Sequence, residues 1–151
     1  MKTASLDTRF GPLRVTENEG AIVRLDWAHA EIQDESPLLV QALEQLAAYD
    51  AGELQQFDLP LHISGSSFQR DVCAQMSAIP FGETCTYGDI AKALGVPAQA
   101  IGQACGANPI PIIIPCHRVM GAKGLTGFSG AGGVETKVAL LRHEGAGSFL
   151  I

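Results

Sequence analysis

The run Asn108-Pro109-Ile110-Pro111-Ile112-Ile113-Ile114-Pro115-Cys116-His117-Arg118-Val119 constrains the fold more than any other stretch of this chain. Its prolines fix their own φ, donate no backbone hydrogen bond and bias the preceding residues away from helix. The segment reads as a rigid extended strut ending in a turn, and its isoleucines belong in a core. That turn presents one cysteine and one histidine at the mouth of buried chain. His117 and Arg118 beside Cys116, with Glu144 downstream as an orienting carboxylate, are the residue types that generate a thiolate near neutral pH. A base next to the sulfur, itself oriented by a carboxylate, follows the logic of a nucleophilic triad.

Upstream, Leu6–Phe10, Leu13–Thr16 and Ala21–Trp27 alternate apolar with polar residues and are separated by Gly11-Pro12 and Glu17-Asn18-Glu19-Gly20, which predicts a three-stranded antiparallel meander. Ser36 and Pro37 form an N-cap and first-turn pair for a helix from 37 to about 51, with Leu39, Leu43, Leu46 and Ala47 at helical spacing. The stretch 59–65 reads as a linker, which divides the chain into an N-terminal supporting domain (1–63) and a C-terminal domain (64–151). In the latter, Ser66 and Gln69 predict a capping box for a helix with Phe68, Val72, Met76 and Ile79 on its apolar face. Thr86 and Asp89 cap a short helix up to Gly95, and Pro97 opens another over 97–106, a candidate helix-turn-helix. A last helix, about Val134 to His143, is expected to turn Val134, Val138 and Leu141 inward. The expected fold class is α/β: a small sheet with one helix, then a mainly helical, winged-helix-like domain. No internal repeat is present.

A chain of 151 residues with 46% apolar content can bury a core. No apolar run is long enough to span a bilayer and the start lacks a secretion signal, so the expectation is a cytoplasmic protein with no membrane partner. Cys73, Cys85, Cys105 and Cys116 show no metal or disulfide spacing and read as reduced thiols, with no metal and no cofactor. The net charge of −6 is unevenly spread: residues 1–60 hold 11 acidic and 4 basic side chains, a balance of −7, and residues 61–151 hold 5 and 6, a balance of +1. Any DNA contact would lean on backbone amides and helix N-termini more than on an arginine patch.

Together with Gly102-Gln103-Ala104-Cys105-Gly106-Ala107, Gly127-Phe128-Ser129-Gly130 and Arg142-His143-Glu144-Gly145, the Pro-Cys-His-Arg-Val run resembles the O6-alkylguanine-DNA alkyltransferases (methylated-DNA–protein-cysteine methyltransferases), over roughly residues 66–145. The resemblance implies a single-turnover DNA repair protein. It flips O6-alkylguanine out of DNA and moves the alkyl group onto Cys116, with a relay through His117, water and Glu144. Tyr87 is implied to donate to the flipped base, Asn108 to act as a hinge between the recognition helix and the active-site loop, and Val119, Phe128 and the Ser129 backbone to line the pocket. The family often has tyrosine where Phe128 stands. It commonly has arginine at the position of Gln99, inserted in place of the extruded base; glutamine is shorter and uncharged, though still able to hydrogen-bond an orphaned cytosine. Small residues Ala98, Ala100 and Gly102 permit close approach to a groove, and Arg118 is counted with Gln99 on the DNA side.

The expected partner is DNA containing O6-alkylguanine, and the expected state a monomer. A non-catalytic alkyl-base sensor of the alkyltransferase-like type is the alternative, but those proteins have another residue, typically tryptophan, where Cys116 stands. A cysteine hydrolase or redox thiol protein is disfavoured because the match extends on both sides of the cysteine and no Cys-x-x-Cys is present.

Overall fold

Alternating apolar residues near the N-terminus form β1 (Lys2–Thr8), β2 (Gly11–Asn18) and β3 (Ala21–Asp26), an antiparallel sheet in the order β1-β2-β3. The computed structural model describes residues 1–121 and 133–146. Its chain divides into two compact units, Met1–Ser64 and Gly65–Ile151.

In the first unit, β1 starts four residues earlier than its apolar alternation suggests and ends at Thr8, because Thr8 pairs with Gly11 and leaves Arg9-Phe10 as a two-residue turn. The second hairpin turns through Glu19 and Gly20, both at positive φ, the twist that matches the flanking strands. Ala4, Leu13, Val15, Ile22 and Leu25 are buried. Helix α1 (Pro37–Asp50) packs against β1 and β2, with Ser36 Oγ accepting from the Leu39 amide at 3.1 Å. Its buried face is Leu39, Ala42, Leu46 and Tyr49; Tyr49 displaces the expected Leu43 and Ala47 because its ring packs between Phe10 and Phe57. Part of the expected linker is sheet: Leu61 bridges Ile22, with the Ile22 amide donating to Pro60 O and the His62 amide to Ile22 O.

The second unit carries α2 (Ser67–Ser77), β4 (Cys85–Thr86), α3 (Tyr87–Leu94), α4 (Ala98–Gly106), a 3₁₀ turn at Cys116–Arg118, β5 (Val119–Met120) and α5 (Val134–His143). Ser66 caps α2, but Gln69 does not complete the expected box. Its Nε2 instead donates to the Ala104 carbonyl at 2.8 Å and ties α2 to α4. The box at α3 is complete: Thr86 Oγ1 accepts from the Asp89 amide at 3.0 Å, and Asp89 Oδ2 accepts from the Thr86 amide at 2.9 Å. Gly95, left-handed at φ 69°, ends α3 and lets the chain turn into α4. Thr86→Ala removes one half of the box and should cost about 1 kcal/mol in urea denaturation.

Two features escape the sequence pattern. β4 and β5 pair in parallel, Cys85 with Val119 and Thr86 with Met120, so the entrance to α3 lies beside the chain that follows Cys116. On α5 the buried residues are Lys137, Leu140 and Leu141, whereas Val134 is 42% exposed, which corrects the expected face. Residues 137, 140, 141 and 144 form one helical stripe, and the burial of Glu144 at its end fixes the rotation.

Candidate active site

The proline run does not form the expected extended strut. It folds back on itself: the Ile114 amide donates to Ile110 O, the Ile113 amide to Pro111 O, and the Cys116 amide to Ile114 O, at 2.8–2.9 Å. The physical reason is that prolines leave few donors, and a buried segment must satisfy those that remain locally. Two three-residue turns result. One is centred on Ile112 at φ 72°, a strained value for a β-branched residue. The other is centred on Pro115 at φ −81°, ψ 69°, close to the inverse γ-turn minimum. Ile110, Ile112, Ile113 and Ile114 are all buried, so packing holds the strained geometry.

Asn108 locks this loop. Its Nδ2 donates to Ile114 O at 2.8 Å and its Oδ1 accepts from the Ile110 amide at 3.0 Å. Both ends of the amide are therefore committed to the loop between the end of α4 and the cysteine. Cys116 opens the 3₁₀ turn with 5% of its surface exposed. Burial pushes its thiol up to about 11, against the pull of the Asn108 side chain and the Lys137 ammonium. Desolvation thus works against the thiolate that the neighbouring residue types suggest, and outweighs the donors beside it.

His117 and Glu144 do meet. Nε2 of the fully buried imidazole lies 2.7 Å from Glu144 Oε2, while Nδ1, also buried, has no hydrogen-bond partner among the described residues. Burial lowers the histidine pKa, against the Glu144 contacts that raise it. The neutral tautomer with Nε2–H donating to the carboxylate leaves the Nδ1 lone pair as a base.

Arg118, counted from sequence on the DNA side, is buried and turned inward to Glu144. Its Nε donates to Glu144 Oε1 at 2.7 Å and its Nη2 to Oε2 at 3.0 Å, while Nη1 reaches Ile79 O at 2.6 Å. The guanidinium also lies 5.8 Å from the Phe81 ring centroid. It is buried because the carboxylate that orients His117 needs a counter-charge in the interior. Gly82, at φ 85°, lets the chain pass close to α5: a Cβ there would meet Glu144 O at 3.3 Å.

The remaining sequence candidates fall into three groups. Val119 is fully enclosed and its carbonyl accepts from Lys137 Nζ at 2.7 Å. Tyr87 is half-buried at the first position of α3, and Ala98 and Gln99 are exposed at the start of α4, with Ala100 and Gly102 half-buried behind them. Phe128 and Ser129 lie outside the described residues. The residue that sequence reasoning missed is Lys137, since a lysine in mid-helix ordinarily signals the solvent face. The stripe it shares with Leu140, Leu141 and Glu144 is the signal that points to it.

Comparison with known proteins gives two family matches that together span nearly the whole chain. The DNA-binding domain of 6-O-methylguanine DNA methyltransferase matches residues 67–146, and the ribonuclease-like domain of the same family matches residues 1–63. A methylated-DNA–protein-cysteine methyltransferase of Mycolicibacterium paratuberculosis is 53% identical over 68% of this chain and 63% of its own length. The chain thus aligns with under two thirds of that relative. The Methanosarcina acetivorans protein of the same name is 40% identical over 97% of this chain and 99% of its own. Among solved structures, Mycobacterium tuberculosis O6-methylguanine methyltransferase superposes with a TM-score of 0.82 at 40% identity, covering 95% of this chain and 92% of that one. Mycobacterium tuberculosis OGT in complex with DNA superposes at 0.86 with 39% identity, covering 99% and 98%.

Proposed function

The chain belongs to the 6-O-methylguanine DNA methyltransferase family, and from that premise we propose that it repairs DNA by taking the alkyl group of O6-alkylguanine onto Cys116. The observation that carries this reading is the His117–Glu144 pair beside the cysteine, with Nε2 held by the carboxylate and Nδ1 left as a lone pair. Cys116 Sγ attacks the alkyl carbon in line, the carbon–O6 bond breaks as the sulfur–carbon bond forms, and the thiol proton passes through a water molecule to Nδ1. The departing guanine anion takes a proton from the Tyr87 phenol. With the sulfur resting as a thiol, ionisation and attack are coupled, so the leaving-group donor matters as much as the base. The thioether product is not reversible under cellular conditions, which makes the reaction a single turnover without a cofactor.

DNA enters this proposal through the α3–α4 pair as a helix-turn-helix. No side chain caps the start of α4, and the space beyond Gly102 is open, so backbone amides and small side chains can approach a phosphate backbone. Gln99 then fills the gap left by the extruded base. Action as a monomer in the cytoplasm belongs to the same reading; all four cysteines are unpaired, as in a reducing compartment, and no helix among the described residues is long and apolar enough to cross a membrane.

The test is mass measurement after incubation with benzylated guanine, free and within duplex DNA. A gain of one benzyl group on Cys116, absent in Cys116→Ser, is expected; no gain with either substrate overturns the reading. Labelling with the free base alone would assign the defect to DNA capture, and Gln99→Arg should then restore labelling in the duplex.

A further inference from the structure

Lys137 is 1% exposed, an uncommon place for an ammonium. Among the described residues it has one acceptor, the Val119 carbonyl at 2.7 Å, and no carboxylate partner. Glu144, the carboxylate at the end of the same helical stripe, is occupied by His117 and Arg118. A buried cation without a counter-ion costs stability, so packing does not explain why lysine stands here.

What surrounds it does. The Val119 carbonyl that holds its Nζ belongs to the residue closing the 3₁₀ turn opened by Cys116, with the Val119 amide donating to Cys116 O, so the ammonium sits against the cysteine turn. The groups it acts on are the sulfurs of Cys116 and of Cys105 at the end of α4 and the imidazole of His117, with the Cys73 thiol of α2 acting on both sulfurs. Burial lowers the lysine pKa, and an ionised Cys116 or Cys105 raises it again. Burial raises all three thiols above their ordinary range, so among the described residues no anion faces the ammonium until one sulfur ionises. A charge that is uncompensated at rest and compensated during attack favours the activated state over the ground state.

We propose that Lys137 is a positioning residue for alkyl transfer: anchored to the Val119 carbonyl, it holds a fixed positive charge toward Cys116 that stabilises the sulfur as it loses its proton. This inference rests on the function proposed above, but the charge effect itself is readable with a small thiol reagent that needs neither guanine nor DNA.

The experiment is the pH profile of Cys116 alkylation by iodoacetamide, read site by site by mass spectrometry, beside benzylguanine transfer. Lys137→Met should move the iodoacetamide profile to higher pH and slow Cys116 labelling about tenfold at neutral pH, the ratio for a one-unit rise in thiol pKa. Lys137→Arg, which keeps the charge, should stay near the native profile. A folded Lys137→Met with a native profile overturns the proposal. Should that variant fail to fold, Lys137→Gln retains a donor for Val119 O and gives the same reading. The reciprocal measurement uses the lysine itself: in Cys116→Ser, Lys137 should titrate at lower pH by ¹³C NMR, and an unchanged titration overturns the proposal. Absence of benzyl transfer in the native protein, with the iodoacetamide shift intact, would instead refute the repair function and leave the electrostatic role standing.

Discussion

Glu144→Gln is expected to lose benzyl transfer by at least about a hundredfold and to lower stability by about 3–5 kcal/mol. Among the described residues Glu144 is the single anion for two buried donors, His117 Nε2 and the Arg118 guanidinium, the latter through both Nε and Nη2. A glutamine keeps the shape and removes the charge, leaving Arg118 buried without a counter-ion. The tautomer consequence is as large. The one remaining oxygen is drawn to Arg118, so the amide NH₂ turns toward Nε2, which must then accept. The ring proton moves to Nδ1, and the atom that should receive the thiol proton no longer can. Urea denaturation reads the first effect, and transfer rates on whatever fraction remains folded read the second. A variant with native stability and native transfer would show that the carboxylate orients nothing.

Cys116 of the native protein should react with iodoacetamide more slowly than an ordinary thiol at neutral pH, its rate climbing about tenfold per pH unit toward about 11. The sign follows from burial: desolvation raises the thiol pKa, so each unit of pH below it removes nine-tenths of the reactive thiolate. Ordinary cysteines level off near 9, the usual thiol value, and the informative quantity is the two-unit displacement of the plateau. The shape of the curve is compared, since partial enclosure slows the reagent at every pH. A plateau below neutral pH would mean that the sulfur is ionised at rest, and the coupled mechanism would fail.

That second expectation reverses what the residue types beside Cys116 suggest. Histidine, arginine and a carboxylate near a cysteine promise a thiolate when read as a list, but their effect depends on which atoms face the sulfur. Arg118 spends its charge on Glu144, and His117 is itself fully buried and neutral. The His117–Glu144 pairing was legible from residue type, and the two helices before the proline run and the three-stranded sheet because caps, glycines and alternation are local signals. The caps at Ser36 and Thr86 are examples. What was not legible depends on tertiary placement: the rotation of α5 that buries Lys137 instead of Val134, the folding back of residues 110–116, and the two-residue ladder of β4 and β5. No short-range pattern announces a pair of two-residue strands more than thirty positions apart.

That ladder also sets where the chain can tolerate added length. Thr86 is in register with Met120, and Tyr87 follows at once as the first residue of α3, so the phenol's distance from the cysteine segment is fixed by rungs rather than by a loop. An extra residue at the exposed Thr84 would enlarge a surface bend and leave that spacing intact. The same insertion one step beyond Thr86 would carry the aromatic ring away from the cysteine segment by one residue's rise. Natural or engineered length variation is therefore expected on the near side of Cys85 and not on the far side of Thr86.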